Sequence, residues 1–576
     1  MASADLILLH APSVYDFRKH SIMYGPVSDL VPSEPIFEMY PVGFTAIAEY
    51  LKRHGYSVRI INLAALMLRD QRFNAEKKIE SLDPSIFGID LHWLVHAHGS
   101  IEIAKIVKKY HPDIPVVFGG FSATYFYKEL IQYPEVDFVI RGDSAEEPMH
   151  QLIECVIAKR LPTSVPNLVW KNNGEVHENP FTYIPTDIND LVLDNTHIIG
   201  SVLKYRDLMG HLPFVDWLNY PIVPVFTCRG CIRNCVTCGG SATASKNFYN
   251  RDEPAFRDPE ILVEDMRKIQ KIIKGPIFVV GDIRHVGNDY VDRFFSAAKK
   301  SGITNQVIIE FFTPPHADFL KRLRDVFPHY IVEISIESHD EEVRKAFGRN
   351  YSNKALEDSI AHALKYNCER FDLYFMTGLP KQTPQSVLDS IEYCRYLYKK
   401  FNGDKRIMPF ISPLAPFLDC GSMVFQEPEK YGYRLFYQTL EEHRQALLQP
   451  SWKYILNYET EWMTRDQIVK STYQAALELN RLKVEYGVID RKVAEQTEAR
   501  ILKAIEVMGK IDRIVALDLG GSELQEKMQK LRSELETASV SSIHDKREMK
   551  LPTNFLNFRI SGFIALIFNK LCRRSL

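Results

Sequence analysis

Thr227-Cys228-Arg229-Gly230-Cys231-Ile232-Arg233-Asn234-Cys235-Val236-Thr237-Cys238-Gly239-Gly240 is the stretch that decides the reading of this 576-residue chain. Its last three cysteines have the spacing C-x3-C-x2-C, so one tight loop can hold three thiolates on three irons of a cubane and leave the fourth iron open. A zinc site of the two-pair kind needs C-x2-C pairs roughly 15–20 residues apart, which this single cluster does not supply. Nine cysteines in the whole chain, four of them in this stretch, are too few for a disulfide scaffold and point to metal in a reducing compartment.

Working outward, short apolar runs at Val223–Phe226, Ile277–Val280, Val307–Phe312, Ile331–Ile336, Phe371–Phe375 and Ile407–Ile411 alternate with helical patterns. This predicts a partial (β/α)6 TIM-like barrel over residues 221–425. Upstream, Leu6–Leu9, Val58–Ile61, Ile86–Ile89, Val116–Phe118 and Val136–Ile140 alternate with helices near 41–54 and 101–110, predicting an open, Rossmann-like parallel sheet over 1–160. Ligands of such sheets bind beyond the carboxyl ends of the strands, which singles out the loops starting at His10, Asp90, Gly119 and Arg141. Gly119-Gly120 either lets backbone approach a ligand or only makes a tight turn. Residues 161–220 read as a hairpin and linker, 426–535 as a helical domain, and 536–576 as a linker and tail.

Apolar residues are 45% and charged residues 25%, which excludes wholesale disorder and a polytopic membrane protein. Lys+Arg 71 against Asp+Glu 73 leaves no positive field for nucleic acid, so none is expected as a partner. No apolar run reaches the roughly 18–20 residues that span a bilayer, and Met1–Leu9 lacks the features of a signal peptide. In the tail, Ile560, Ile564, Ile567 and Leu571 share one helical face beside Phe563. Seven cations (Lys546, Arg547, Lys550, Arg559, Lys570, Arg573, Arg574) surround that face against Asp545 and Glu548. An apolar face with a basic surround predicts an in-plane helix on anionic lipid, hence a cytoplasmic protein peripheral on the inner membrane face. The competing reading is a helix docked on the protein body.

The cysteine stretch resembles that of the radical SAM superfamily, and Thr-Cys-Arg-Gly-Cys-x3-Cys-x2-Cys is similar to its cobalamin (B12)-binding-domain branch, which usually has Ser or Ala where Cys228 stands. The resemblance implies that Cys231, Cys235 and Cys238 ligate a [4Fe-4S] cluster whose open iron takes S-adenosylmethionine. Ser335-Ile336-Glu337-Ser338 resembles the family's fourth-strand segment, which makes Glu337 the ribose partner and Ser335 its neighbour. Met376-Thr377-Gly378-Leu379-Pro380 resembles the fifth-strand segment against the adenine. Gly239 and Gly240 would admit the methionyl part, and Asp282 would meet the cofactor's amino group. The segments 116–124 and 136–143 resemble the family's cobalamin-binding domain, with Gly119 and Gly120 near the corrin. The pattern D-x-H-x-x-G is absent, because Asp90-Leu91-His92 has its next glycine only at Gly99, so cobalamin stays open and His92 is set aside as a cobalt ligand.

The implied activity is cleavage of S-adenosylmethionine to a 5′-deoxyadenosyl radical that takes hydrogen from an unactivated carbon, fed by a ferredoxin- or flavodoxin-like electron donor. The basic tail favours an isoprenoid lipid collected from a membrane surface. The aromatic loop Ala11–Met39 either covers such a substrate or seals an interdomain contact. Character across 431–437 and 450–454 resembles a mainly archaeal subfamily that includes the tetraether-lipid ring synthases, which implies cyclopentane ring formation. The alternatives are cobalamin-dependent C-methylation and a non-enzymatic cobalamin or iron–sulfur sensor. Methylthiolation of tRNA is disfavoured, since only Cys155 precedes Cys228. Cys420, after the last barrel strand, is a candidate thiol hydrogen donor or a structural cysteine. His96, His98, His316 and His339 read as surface or loop residues with no metal spacing.

Overall fold

The computed structural model describes residues 4–26, 36–191, 196–414, 416–517, 521–531, 543–549, 557–559 and 561. Five parallel strands, β1 (Ala4–His10), β2 (Val58–Asn62), β3 (Pro84–Asp90), β4 (Val116–Gly119) and β5 (Phe138–Ile140), form the first sheet in the order 2-1-3-4-5. Their apolar runs are continuous because helices cover both faces of a parallel sheet, so there is no solvent side on which polar residues would alternate. Register is tight at the centre: Gly88 pairs with Leu8, and a β-carbon at Gly88 would stand 2.6 Å from the Leu8 side chain. Helix Ala97–Tyr110 buries Ile101, Ala104 and Val107 and carries Lys108 and Lys109 in its last turn, where cations suit the helix dipole.

The hairpin expected after this sheet extends it: β6 (Leu168–Asn172) pairs antiparallel with β5, and β7 (Glu175–Glu178) forms the edge. That edge strand is mostly exposed and charged, which discourages strand addition.

The barrel sheet has six parallel strands in sequence order: β8 (Val223–Phe226), β9 (Ile277–Val280), β10 (Val307–Phe311), β11 (Tyr330–Glu337), β12 (Arg370–Thr377) and β13 (Ile407–Pro413). It stays open between β8 and β13, as the six-strand expectation requires. Helix Pro384–Lys400 starts at a capping box of Thr383 and Ser386 with proline in the first turn, which satisfies its free N–H groups. Two long helices, Arg465–Glu485 and Arg491–Val515, follow, the first lying against helix Pro384–Lys400 and β13.

Buried ion pairs fix how the first sheet meets the barrel. Arg251 donates to Asp143 at 2.9 Å, and Arg229 donates to Glu146 and Ser144 at 3.0 and 2.7 Å. Such pairs specify geometry more than they stabilise. At the far end, residues 543–549 dock into the barrel base, with the Glu548 carboxylate on Lys483 at 2.8 Å and both buried. Phe558 packs on Trp217, and Arg559 donates to Thr304. These parts of the expected linker and tail are therefore bound to the body. Ile560, Phe563, Ile564, Ile567 and Leu571 lie outside the described residues. Among the described residues, no helix is long and apolar enough to cross a membrane.

Candidate functional site

The cysteine loop leaves β8 at the carboxyl end of the barrel sheet and closes at helix Ala242–Tyr249, whose N-cap is Ser241. Backbone N–H groups turn toward sulfur: Arg233 donates to Cys231 Sγ at 3.3 Å and Gly240 to Cys238 Sγ at 3.4 Å. Val236 N–H holds the loop to the Phe347 carbonyl at 2.9 Å. All three cysteines line one cavity of about 480 Å3. Burial pushes the Cys235 and Cys238 thiols up, with the Arg349 guanidinium opposing this at Cys235. Thiols held up by burial, as at Cys235 and Cys238, suit a cluster, because bound metal ions ionise their own ligands. Cys228 stands apart: it is absent from the cavity lining, its thiol donates to the Gly230 carbonyl at 3.5 Å, and burial pushes it up to about 11.

Ser335 and Glu337 line the same cavity. A bulge in β11 shifts the register between them, and Glu337 has φ +65°, so the carboxylate is re-aimed at the strand end. Its Oε1 faces Arg349 at 3.5 Å, whereas Oε2 is buried with no hydrogen-bond partner. An orphaned buried acceptor calls for a donor from a ligand, and a ribose hydroxyl fits. Burial raises Glu337 to about 7, against the lowering pull of Arg349.

Glu310 and Arg349 also line the cavity and were missed by the sequence reading. Glu310 accepts from Gly281 N–H at 2.8 Å. Its signal was one carboxylate inside the apolar strand Val-Ile-Ile-Glu-Phe. Arg349 follows helix Glu341–Phe347 in a loop and carries no such signal.

Other expected residues are placed differently. Asp282 is buried with both oxygens on Arg284 and is absent from the cavity lining; it fastens Arg284, which reaches the Thr313 carbonyl at 2.6 Å. Gly378 is also absent: its φ is +94°, and a β-carbon would meet the Tyr458 hydroxyl at 2.7 Å, so packing by the helical region demands glycine there. Gly239 N–H donates to Asp419 at 3.0 Å. Gly239 and Gly240 border a second cavity of about 240 Å3 shared with His92, Trp93, Ser122 and Cys420. Cys420 is buried there, donates to Ser122 Oγ at 3.6 Å and is pushed up to about 12 by burial, so it stays a thiol.

In the first sheet Gly120 approaches protein rather than open space. With φ +114° it leaves only 2.5 Å between a would-be β-carbon and His92 Cα, whereas Gly119 is unobstructed. His96 and His98 are corrected from surface or loop positions to buried ones, since the turn Leu94–His96 and the start of helix Ala97–Tyr110 fold back on β1 and its loop. The loop Ala11–Met39 does two things in its described part. Met23 pairs with Pro450 and Trp452 backbone, while Phe37 and Met39 line the cavity that holds the cysteines.

The large cavity at the barrel base, about 710 Å3, lies at the amino ends of the strands. Barrel sites form at the carboxyl ends, where the cysteines are.

Comparison with known proteins agrees with this geometry. A B12-binding-domain model matches residues 33–152 and a radical SAM superfamily model matches residues 225–394. The chain thus carries a B12-binding domain followed by a radical SAM domain. It is 25% identical over 302 residues to the hopanoid C-3 methylase of Methylococcus capsulatus, covering 52% of each chain, so the match spans about half of that relative. It is 21% identical over 476 residues to the cytidylyl-2-hydroxyethylphosphonate methyltransferase of Streptomyces wedmorensis, covering 72% of this chain and 85% of that one. Its fold is similar to that of the cobalamin-dependent S-adenosylmethionine radical enzyme OxsB, solved with aqua-cobalamin and S-adenosylmethionine: TM-score 0.54, 12% identity, covering 100% of this chain and 80% of the other.

Proposed function

We propose that this chain is a cobalamin-dependent radical SAM enzyme that transfers a methyl group to an unactivated carbon of an apolar, lipid-class substrate. The observation that carries the reading is the shared cavity. It is lined by Cys231, Cys235 and Cys238, by Phe37, Met39, His92 and Trp93 of the B12-binding domain, and by Met376, Leu414 and Phe417 of the barrel. A carbon placed there is within reach of both domains, which methyl transfer requires. The names of both relatives, a methylase and a methyltransferase, support this over ring closure.

When bound, the cluster and S-adenosylmethionine supply a carbon-centred radical and the corrin supplies a methyl group. Cys231, Cys235 and Cys238 would hold the cluster. Glu337 Oε2 would accept from the ribose, and Arg349 steadies that carboxylate from its other oxygen. Trp93 and Phe121 are 42% and 44% exposed, although both are large and apolar, and both border the smaller cavity. They leave exposed apolar area at that cavity, which a corrin would cover. The apolar walls keep water from the reacting carbon.

The reading asks for a ferredoxin- or flavodoxin-class electron donor and for lipid delivered from a membrane surface, the role given to the tail 554–576. The test is anaerobic turnover of the cluster- and cobalamin-loaded full chain with extracted isoprenoid lipid and S-adenosylmethionine carrying a 13C-methyl group. Products heavier by one labelled methylene are expected. Products lighter by two hydrogens and free of label would replace methylation with ring closure, and lipid unchanged in mass would remove the substrate class.

A further inference from the structure

Apart from the cluster loop, the described residues bring one other set of metal-binding atoms together. His10 ends β1 and Asp90 ends β3, at the two strand ends where the sheet order reverses, which is where open α/β sheets take ligands. His96 joins them from the turn Leu94–His96. One ligand atom from each lies within 4.8 Å of the other two, and all three residues are buried.

The surrounding hydrogen bonds assign the lone pairs. His10 Nε2 faces the Phe37 carbonyl at 3.1 Å, and His96 Nδ1 faces the Ala11 carbonyl at 3.1 Å. A carbonyl only accepts, so those two nitrogens carry the protons. In the neutral rings, His10 Nδ1 and His96 Nε2 are then bare acceptors. His10 Nδ1 sits 3.0 Å from Asp90 Oδ1, which is also an acceptor, and His96 Nε2 is buried with no hydrogen-bond partner. Three acceptors thus converge with no donor among them. One proton can bridge His10 and Asp90 but leaves His96 Nε2 bare, whereas a divalent cation satisfies all three.

The outer contacts are those of a metal site. Metal-binding imidazoles donate their second N–H to a carbonyl or carboxylate, which fixes ring orientation. Both rings do so here, and His92 Nδ1 holds the other Asp90 oxygen at 2.7 Å. The His10 and His92 ring centroids each lie 4.9 Å from that of His96. Two neutral imidazoles and one carboxylate carry a net charge of −1, which suits a dication, and this nitrogen–oxygen donor set is taken by first-row transition metals.

We propose that His10, Asp90 and His96 bind one divalent transition-metal ion, clamping the ends of β1 and β3 together beside the cysteine-lined cavity, which His96 borders. His92 serves as the outer partner that orients Asp90. The proposal does not depend on the reaction assigned above, because it rests on different residues and is read out as metal content.

The test uses the full chain with its cluster reconstituted anaerobically, loaded with Zn2+ or Co2+ and dialysed free of excess. One zinc or cobalt per chain beyond the cluster iron is expected, in the wild type and in Cys235→Ala alike. His10→Gln and His96→Gln should drop to background while keeping wild-type iron, which shows that the barrel has folded. His92→Ala should keep the stoichiometry with affinity roughly 10–100-fold weaker. X-ray absorption at the zinc edge should show nitrogen and oxygen neighbours and no sulfur. Wild type without zinc or cobalt above background, His96→Gln with full loading, or a sulfur shell would each overturn the site. The absorption experiment decides even if the glutamine variants misfold.

Discussion

Gly120→Ala is the most direct test of how the first sheet shapes the shared cavity. At φ +114° and ψ 175°, Gly120 occupies backbone space that is essentially closed to other residues, at a strain of about 1–3 kcal/mol for alanine. The new β-carbon would also stand 2.5 Å from Cα and 2.7 Å from N of His92. Both are backbone atoms, so no side-chain rotation relieves the clash, and displacing packed structure adds about 1–3 kcal/mol. Together these give about 4 kcal/mol. For a unit of roughly 150–250 residues that lowers the melting temperature by about 8–16 °C. The assay is scanning calorimetry at matched scan rates, since a chain of this length need not unfold reversibly. Gly119→Ala is the control: its β-carbon would meet only the Ile140 carbonyl, at 3.9 Å, so its effect should stay within about 1 kcal/mol. If the two variants melt within about 2 °C of each other, the claim that Gly120 is required by the His92 loop is wrong.

Four further outcomes follow. Cys235→Ala should lose cluster iron and abolish cleavage of S-adenosylmethionine, and retained cleavage in the variant would remove the ligand assignment. With Glu337 at about 7, affinity for S-adenosylmethionine should weaken about fivefold from pH 7 to pH 6 as the carboxylate protonates, and Glu337→Gln should flatten that profile; equilibrium dialysis showing the same slope in both proteins would exclude the ribose role. Burial holds His443 and His544 at about 4, below the ordinary 6.5, so the unfolded chain takes up protons first; stability is full above pH 6.5 and falls as pH drops toward 4, by at most about 3 kcal/mol per residue, which denaturant titrations across that range can contradict. Truncation after Arg559 leaves the docked Phe558 and Arg559 in place and should spare cofactor cleavage while reducing sedimentation with anionic liposomes; unchanged sedimentation would withdraw the lipid-surface role of the tail.

The strand cores were legible because a parallel strand buried on both faces is one uninterrupted apolar run. Val223–Phe226 and Ile277–Val280 coincide in sequence and structure. The strand ends were not, and the site lies there: β1 runs on to His10, β3 to Asp90 and β11 to Glu337, polar residues that hydropathy assigns to loops. The cysteine spacing was local and therefore readable. The His10–Asp90 contact spans 80 residues and depends on strand order, which no spacing rule reports. Asp282 and Gly378 show the converse, since both match local segments yet are taken up by Arg284 and Tyr458, partners that only tertiary structure reveals.

The segment after β13 links the cysteine loop to the first domain. Asp419 accepts from Gly239 beside Cys238, and the adjacent Cys420 thiol donates to Ser122 in the first domain. A shift of either domain therefore moves the wall between the two cavities. Cys420 stays protonated, but it borders only the smaller cavity, whereas Glu337 and the apolar lining belong to the cysteine-lined one. Under the proposed reaction, a thiol so placed would be poorly sited to return hydrogen to a substrate radical, which would leave that radical free for bond formation at carbon. Methyl transfer needs this separation together with access from the B12-domain wall. Ring closure needs only the first of these, so the two-domain lining is the feature that favours methyl transfer.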